Sequence, residues 1–264
     1  MVVIYLMGGN PSDLLNQIGL GGGGSMGTGG IPGLNQQQGT AYTPTQRKNR
    51  HDELADFVGV VLKETEDAWN LVFREQLNRN YQEPTLVLFD DVVHSACGRA
   101  GAATGPFYCP ADNKLYLDLK FSDELQRMGG EGDFSLAYVV AHEVGHHVQN
   151  LLGTLDRVHR QKQGMDKASQ NALQVRVELQ ADFYAGVWAH HTQKMKAILE
   201  KGDIEEALSA ASAVGDDRMQ LERRGYVVPE SFTHGTSAQR MRWFKKGYQT
   251  GRISDGDTFG ASTL

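Results

Sequence analysis

Cysteine is nearly missing from this chain: its 264 residues contain two, Cys97 and Cys109. Two thiols twelve residues apart exclude a zinc ribbon and a CxxC redox pair. They leave two readings. One is a disulfide closing that loop, worth about 3 kcal/mol in the chain-entropy model and implying an oxidising compartment. The other is two unpaired buried thiols. Long apolar runs are missing too. The first seven residues, MVVIYLM, are far short of the roughly 20 that cross a bilayer, and no basic n-region or small-residue cleavage site marks a signal peptide. There is no excess of positive charge either, since 26 Lys and Arg against 32 Asp and Glu give a net charge of −6. That balance argues against a nucleic-acid partner. Basic residues do cluster at Arg223 and Arg224 and at Arg240, Arg242, Lys245 and Lys246, but the second group has helical spacing and reads as a solvated helix face. No internal repeat is visible.

What the chain does have is enough apolar content, 40%, to bury one globular core. Residues 1–44 differ from the rest, because the short apolar start runs into GLGGGGSMGTGGIPGLNQQQGT. That stretch reads as a flexible linker behind either a disordered tail or the truncated remnant of a membrane anchor. Residues 45–264 form the predicted domain. Helical spacing runs from Leu54 through Trp69 and Phe73 to near Asn80. TLVLF at 85–89 reads as a buried strand. In GPFYCPADNKLYLDL, Asp112 and Asn113 read as a turn between two short strands, the second with Leu115, Leu117 and Leu119 on one side. Ser122 is expected to cap a short helix. Further helices are expected between Asp133 and Gly153, over Val175–His191, over Asp203–Val214 behind an Asp203/Glu206 capping box, and from Thr236 behind a Thr236/Gln239 box. This order describes an α+β fold, mostly helical with a small sheet.

The segment AYVVAHEVGHHVQN, residues 137–150, carries the chemistry. A helix turns about 100° per residue, so His142 and His146 share a face one turn apart and can reach one ion. Glu143 lies on the flank of that face, where a carboxylate can serve as general base towards a metal-activated water. Leu136, Val140, Val144, Val148 and Leu151 form an apolar stripe opposite. His147, about 140° round from His142, reads as a packing residue. Asp133 and Gly153 mark the ends of the helix. Gly145 is a poor helix former, which points to a close neighbour at that position.

HExxH alone is weak, because a catalytic zinc takes a third protein ligand. A carboxylate suits a metal that already holds two neutral imidazoles, and Glu178 is the choice. Asp182, one turn on, would accept a hydrogen bond from the far ring nitrogen of a ligand histidine. Ala181, Ala185, Gly186 and Ala189 on the same helix would let another helix approach closely.

With these motifs assembled, the chain resembles the bacterial neutral zinc metallopeptidases of the YpfJ-like family over about Leu54 to Phe259. The resemblance rests on SACG (95–98), GPFYCPAD (105–112), YLDL (116–119), AYVVAHEVGHHVQNLLG (137–153), VELQAD (177–182), AGVWA (185–189) and SFTHGTSAQR (231–240). It implies a zincin-like, gluzincin-type domain with His142, His146 and Glu178 on zinc and Glu143 as base. It also implies an N-terminal membrane anchor and an extracytoplasmic catalytic domain acting on peptides or unfolded proteins. Within it, His234 is expected to hold the tetrahedral oxyanion, its charged form disfavoured beside a helix start, and Arg240 to steady the His234 loop. Relatives often carry cysteines at positions matching Phe183 and Gly256. Neither is present here, so a second disulfide is missing and docking of the C-terminal tail is not assured. A strand within 105–119 would take an extended peptide by β-addition. Two rivals stand beside the peptidase reading: a zinc-stabilised, non-catalytic envelope binding module, which would not require Glu143, and a hydrolase of a non-peptide amide.

Overall fold

The computed structural model describes residues 50–101 and 104–264. The anchor remnant and linker expected over 1–44 lie outside the described residues, and among those described no helix is long and apolar enough to cross a membrane. Helix α1 (Arg50–Leu77) leads into β1 (Thr85–Phe89), the pair β2 (Val92–Ser95) and β3 (Gly98–Gly101), then β4 (Phe107–Cys109) and β5 (Lys114–Asp118). Helices follow: α2 (Phe121–Arg127), α3 (Phe134–Leu151), α4 (Thr154–Lys162), α5 (Lys167–Lys196), α6 (Asp203–Ala213), α7 (Asp216–Arg224) and α8 (Ser237–Thr250). The architecture is mostly helical with a small sheet.

The sheet has the order β1-β5-β4, with β1 parallel and β4 antiparallel to β5. Period-two alternation divides its faces: Leu88, Leu115 and Leu117 join the main core, while Phe89 and Tyr116 join a second, small core with Val93, Ala100, Phe107 and Cys109. The β2–β3 hairpin contributes Val93 and Ala100 to this second core, and a Cys97–Cys109 disulfide ties it to β4. Asp112 adds a second tie, accepting from the Ala96 amide at 3.1 Å.

Helix α3 sits at the centre. The single apolar stripe expected for it is too narrow, since every residue from Phe134 to Gln149 is buried. The reason is that α3 is enclosed by α5, α6, α1 and β4. Its contact with α5 is close at Gly145, where a Cβ would stand 2.8 Å from the Ala181 carbonyl oxygen. Helix α5 meets α8 just as closely. Side chains at Gly186 and Gly247 would collide with the backbones of Phe244 and Phe183 respectively, so the small residues seen on α5 do admit a neighbour.

Several local expectations need correction. Ser122 lies inside α2, which begins after Lys120. Asp203 and Glu206 form no capping box; Glu206 instead accepts from the Phe134 amide (3.1 Å) and so covers the start of α3, a tertiary partner in place of a local one. Arg240 is fully buried and is no part of a solvated face, whereas Arg242, Lys245 and Lys246 are exposed. Helix α5 begins earlier than expected, capped by Asp166 on the Ser169 amide. The Thr236/Gln239 box is present as read. The C-terminal tail docks on α5 without a second disulfide. Gln180 donates to the Gly256 carbonyl (2.7 Å), the Thr258 hydroxyl to the Arg176 carbonyl (2.6 Å), and the Arg176 guanidinium to the carbonyls of Thr258, Phe259 and Ala261. The Phe183 ring packs over Gly256, leaving no room for a Cβ there.

Candidate metal centre

Two neighbouring helices supply the site. Helix α3 presents His142 and His146 from consecutive turns, and α5 presents Glu178 across the Gly145–Ala181 contact. Glu178 Oε2 lies 3.3 Å from His142 Nε2 and 3.4 Å from His146 Nε2. Donors held about 2.0–2.1 Å from a tetrahedral ion stand roughly 3.3 Å apart, so the spacing fits zinc. Among the described residues these three form the one buried group of His, Cys, Asp and Glu able to share an ion.

The far side of each imidazole is engaged. His142 Nδ1 lies 2.8 Å from Asp182 Oδ1, and His146 Nδ1 lies 2.9 Å from Gln149 Oε1. Gln149 is itself fixed, its amide donating to the Val177 carbonyl and to Gln180. Since a carboxylate or an amide oxygen only accepts, both Nδ1 atoms carry the proton and both Nε2 lone pairs turn to the common point. His147 faces away, bonded to Tyr108 and to the Gln82 carbonyl.

The electrostatics favour a cation there. Burial would raise Glu178, but His146 and His142 hold its carboxyl well below the usual carboxylate range. Burial would lower His146, yet Glu178 outweighs it and lifts the imidazole to about 9. The buried carboxylate thus draws positive charge to the point that it shares with the two imidazoles. Among the described residues, His146 Nε2 and both oxygens of Glu143 are buried without a hydrogen-bond partner. Buried polar atoms left so are those that meet an ion, a water or a substrate. Burial pushes Glu143 up to about 7, against the pull of His146 and His142.

Arg240 does not steady the His234 loop as expected. Its guanidinium grips both oxygens of Asp182 (Nε–Oδ2 2.9 Å, Nη2–Oδ1 2.8 Å) and donates to the Val214 carbonyl and the Tyr138 hydroxyl. Burial would raise Asp182; Arg240 and His142 bring it down to about 2. The His234 loop is held by Asp216, which the sequence reading missed. One carboxylate oxygen accepts from the amides of Thr233, His234 and Gly235, and the other lies 3.1 Å from His234 Nδ1. Burial lowers His234, but Asp216 outweighs it, so the imidazole is raised and not disfavoured as a cation. The charge of His234 also helps to lower Glu178. Gln149 and Tyr138 were missed as well. Gln149 stands at i+3 from His146 and Tyr138 four residues before His142, spacings that could have revealed both.

A family model described as "Putative neutral zinc metallopeptidase" matches residues 1–259. The chain is 47% identical over 234 residues to the uncharacterized protein YpfJ of Escherichia coli strain K12, spanning 88% of this chain and 79% of that protein. To the uncharacterized protein Mb2605 of Mycobacterium bovis it is 46% identical over 195 residues, spanning 70% and 65%. No solved structure matches.

Proposed function

The chain belongs to this neutral zinc metallopeptidase family, and from that premise we propose that it is a gluzincin-type peptidase that hydrolyses peptide bonds. His142, His146 and Glu178 hold zinc, and Glu143 is the general base. The observation that carries the reading is a buried carboxylate with two unpartnered oxygens beside three donor atoms at zinc spacing.

When bound, zinc supplies a Lewis acid that polarises the scissile carbonyl and acidifies a water. Glu143, lifted to about 7 by burial, accepts the water's proton at a carboxylate oxygen and passes it to the leaving amine nitrogen. His234, with Nδ1 directed at Asp216, offers its other ring nitrogen as a donor to the carbonyl oxygen as negative charge develops. Asp182, clamped by Arg240, keeps His142 in the Nε2-presenting tautomer. Of the two strands in the 105–119 segment, β5 is paired on both sides, so the outer edge of β4 is the one left to receive an extended peptide. A Cys97–Cys109 disulfide suits an oxidising, extracytoplasmic location, which an N-terminal anchor would provide.

The deciding experiment pairs zinc analysis with cleavage of a heat-unfolded protein by the parent and by Glu143→Gln. The variant should keep one zinc and its thermal midpoint but lose nearly all cleavage, because an amide cannot take the proton. Cleavage at the parent rate would remove Glu143 as base. A parent that binds no zinc would remove the metal site itself.

A further inference from the structure

The carboxylate of Glu178 uses its two oxygens differently. Oε2 faces the two imidazoles, whereas Oε1 accepts a hydrogen bond of 2.7 Å from Gln174 Nε2, one turn earlier on α5. Gln174 is itself oriented by Lys162, the last residue of α4, whose ammonium donates to Gln174 Oε1. The chain reverses between these helices at Gly164 (φ 81°), which brings Lys162 back over the second turn of α5.

The amide orientation here follows from chemistry. An ammonium can only donate, so the amide oxygen must face Lys162; an ionised carboxylate can only accept, so the amide NH₂ must face Glu178. Both neighbours demand the same arrangement, and a flipped amide would meet donor with donor and acceptor with acceptor. A long, freely rotating glutamate could otherwise turn both oxygens towards a metal. A second bound oxygen beside the water would raise the metal from four to five ligands and take up the position into which a catalytic site expands when the substrate carbonyl binds.

We propose that Gln174, held by Lys162, is a positioning residue that makes Glu178 a one-oxygen metal ligand and so keeps the fifth coordination position free for the substrate carbonyl. The inference rests on the zinc site proposed above. Its substrate-independent consequence is a coordination number, which can be read without any cleavage assay. In Gln174→Ala the Glu178 Oε1 loses its donor and turns towards the metal. Lys162→Met leaves the amide in place but removes the ammonium that donates to its oxygen, and Lys162→Arg restores a donor.

The test uses the full chain, metal-stripped and loaded with cobalt(II), whose visible absorption is strongest in four-coordinate sites and falls as a fifth ligand is added. The parent should give the strong band. Gln174→Ala should lower its intensity severalfold and weaken zinc binding by about tenfold, the usual size of an outer-partner loss, with the thermal midpoint of the metal-free protein unchanged. Lys162→Met should move both readings the same way by less, and Lys162→Arg should return them to the parent. If both Gln174→Ala and Lys162→Met keep the parent band and zinc affinity, the inference is wrong while the metal site stands. If Gln174→Ala does not fold, Lys162→Met decides alone by the same two readings. A parent that binds neither metal would overturn the site reading first, and this inference with it.

Discussion

At the scale of single residues, the contest at His234 shows why spacing alone misjudged it. Lying just ahead of a helix start, it should resist protonation, because the first turn carries roughly half a positive charge. A full carboxylate at contact distance is the larger effect, and Asp216 supplies one 3.1 Å from Nδ1. Nothing in GDDR at 215–218 announces this, since the amides that Asp216 gathers lie far along the chain at 233–235. The signs follow. A raised His234 stabilises the fold fully below its ordinary 6.5, and that contribution is lost as pH rises through its raised folded value. A lowered Asp216 stabilises above its ordinary 3.8, and that is lost as pH falls through its lowered folded value. The pair therefore contributes most between 3.8 and 6.5. Asp216→Asn keeps an oxygen for the three amides but removes the charge. The His234 titration, followed by NMR in the metal-free protein, should then move to lower pH, and that pH-dependent stability should flatten. His234→Ala should lower kcat by roughly 10²-fold, since the charge it meets forms only in the transition state, with zinc content retained. A His234 titration unmoved in Asp216→Asn would break the link between the two residues.

Whole elements were legible where their signals were local. The HExxH helix, the TLVLF strand, the Asp112–Asn113 turn and the Thr236/Gln239 box each depend on neighbours within a turn or two. Elements held by distant partners were not. VVHSACGRAG lacks an alternating pattern, and the β2–β3 hairpin exists because the sheet and a disulfide receive it. Helices α4 and α7 are short and polar, and their apolar faces are too small to stand out in the sequence, Leu155 and Val158 in the first and Met219 in the second. The Asp203/Glu206 box misled because the start of α3 competes for Glu206; its carboxylate lies over Gly132, where a side chain would collide with it. Gly145 is the converse case, a local oddity that did announce a tertiary fact. Its replacement by Ala gains about 1 kcal/mol of helix propensity, but the new methyl presses on Ala181, and overpacking costs about 1–3 kcal/mol. Ala181 lies between Glu178 and Asp182, so α5 would shift relative to the histidine pair on α3. Gly145→Ala should therefore lower the thermal midpoint of the metal-free protein and weaken zinc binding. An unchanged midpoint together with parent zinc affinity would mean that the two helices can part without disturbing the site.

Across the whole molecule, the sheet separates two cores of unequal weight, and the metal centre belongs to the larger. Strand β4 is held to the larger core independently of the disulfide, because Tyr108 bonds Asn113, Asn150 and His147 and packs its ring against His147. Among the described residues the hairpin has no such anchor. Its apolar residues Val93 and Ala100 join the small core, whose Phe107 and Tyr116 rings stack at 4.7 Å, and the Ala96–Asp112 bond and the exposed Lys120–Asp91 pair at its start are further ties. Closing a twelve-residue separation restrains the unfolded chain by about 3 kcal/mol, so reduction, or the Cys97→Ser and Cys109→Ser pair, should lower stability by about that much. Amide hydrogen exchange should locate the loss. Protection should fall over residues 92–101 and persist across α3, with zinc affinity close to that of the oxidised protein. Exchange that rises equally in the hairpin and in α3 would show the two cores unfolding as one unit, and the disulfide would then support the metal helix directly. If neither stability nor hairpin protection changes on reduction, the small core holds the hairpin without its covalent tie.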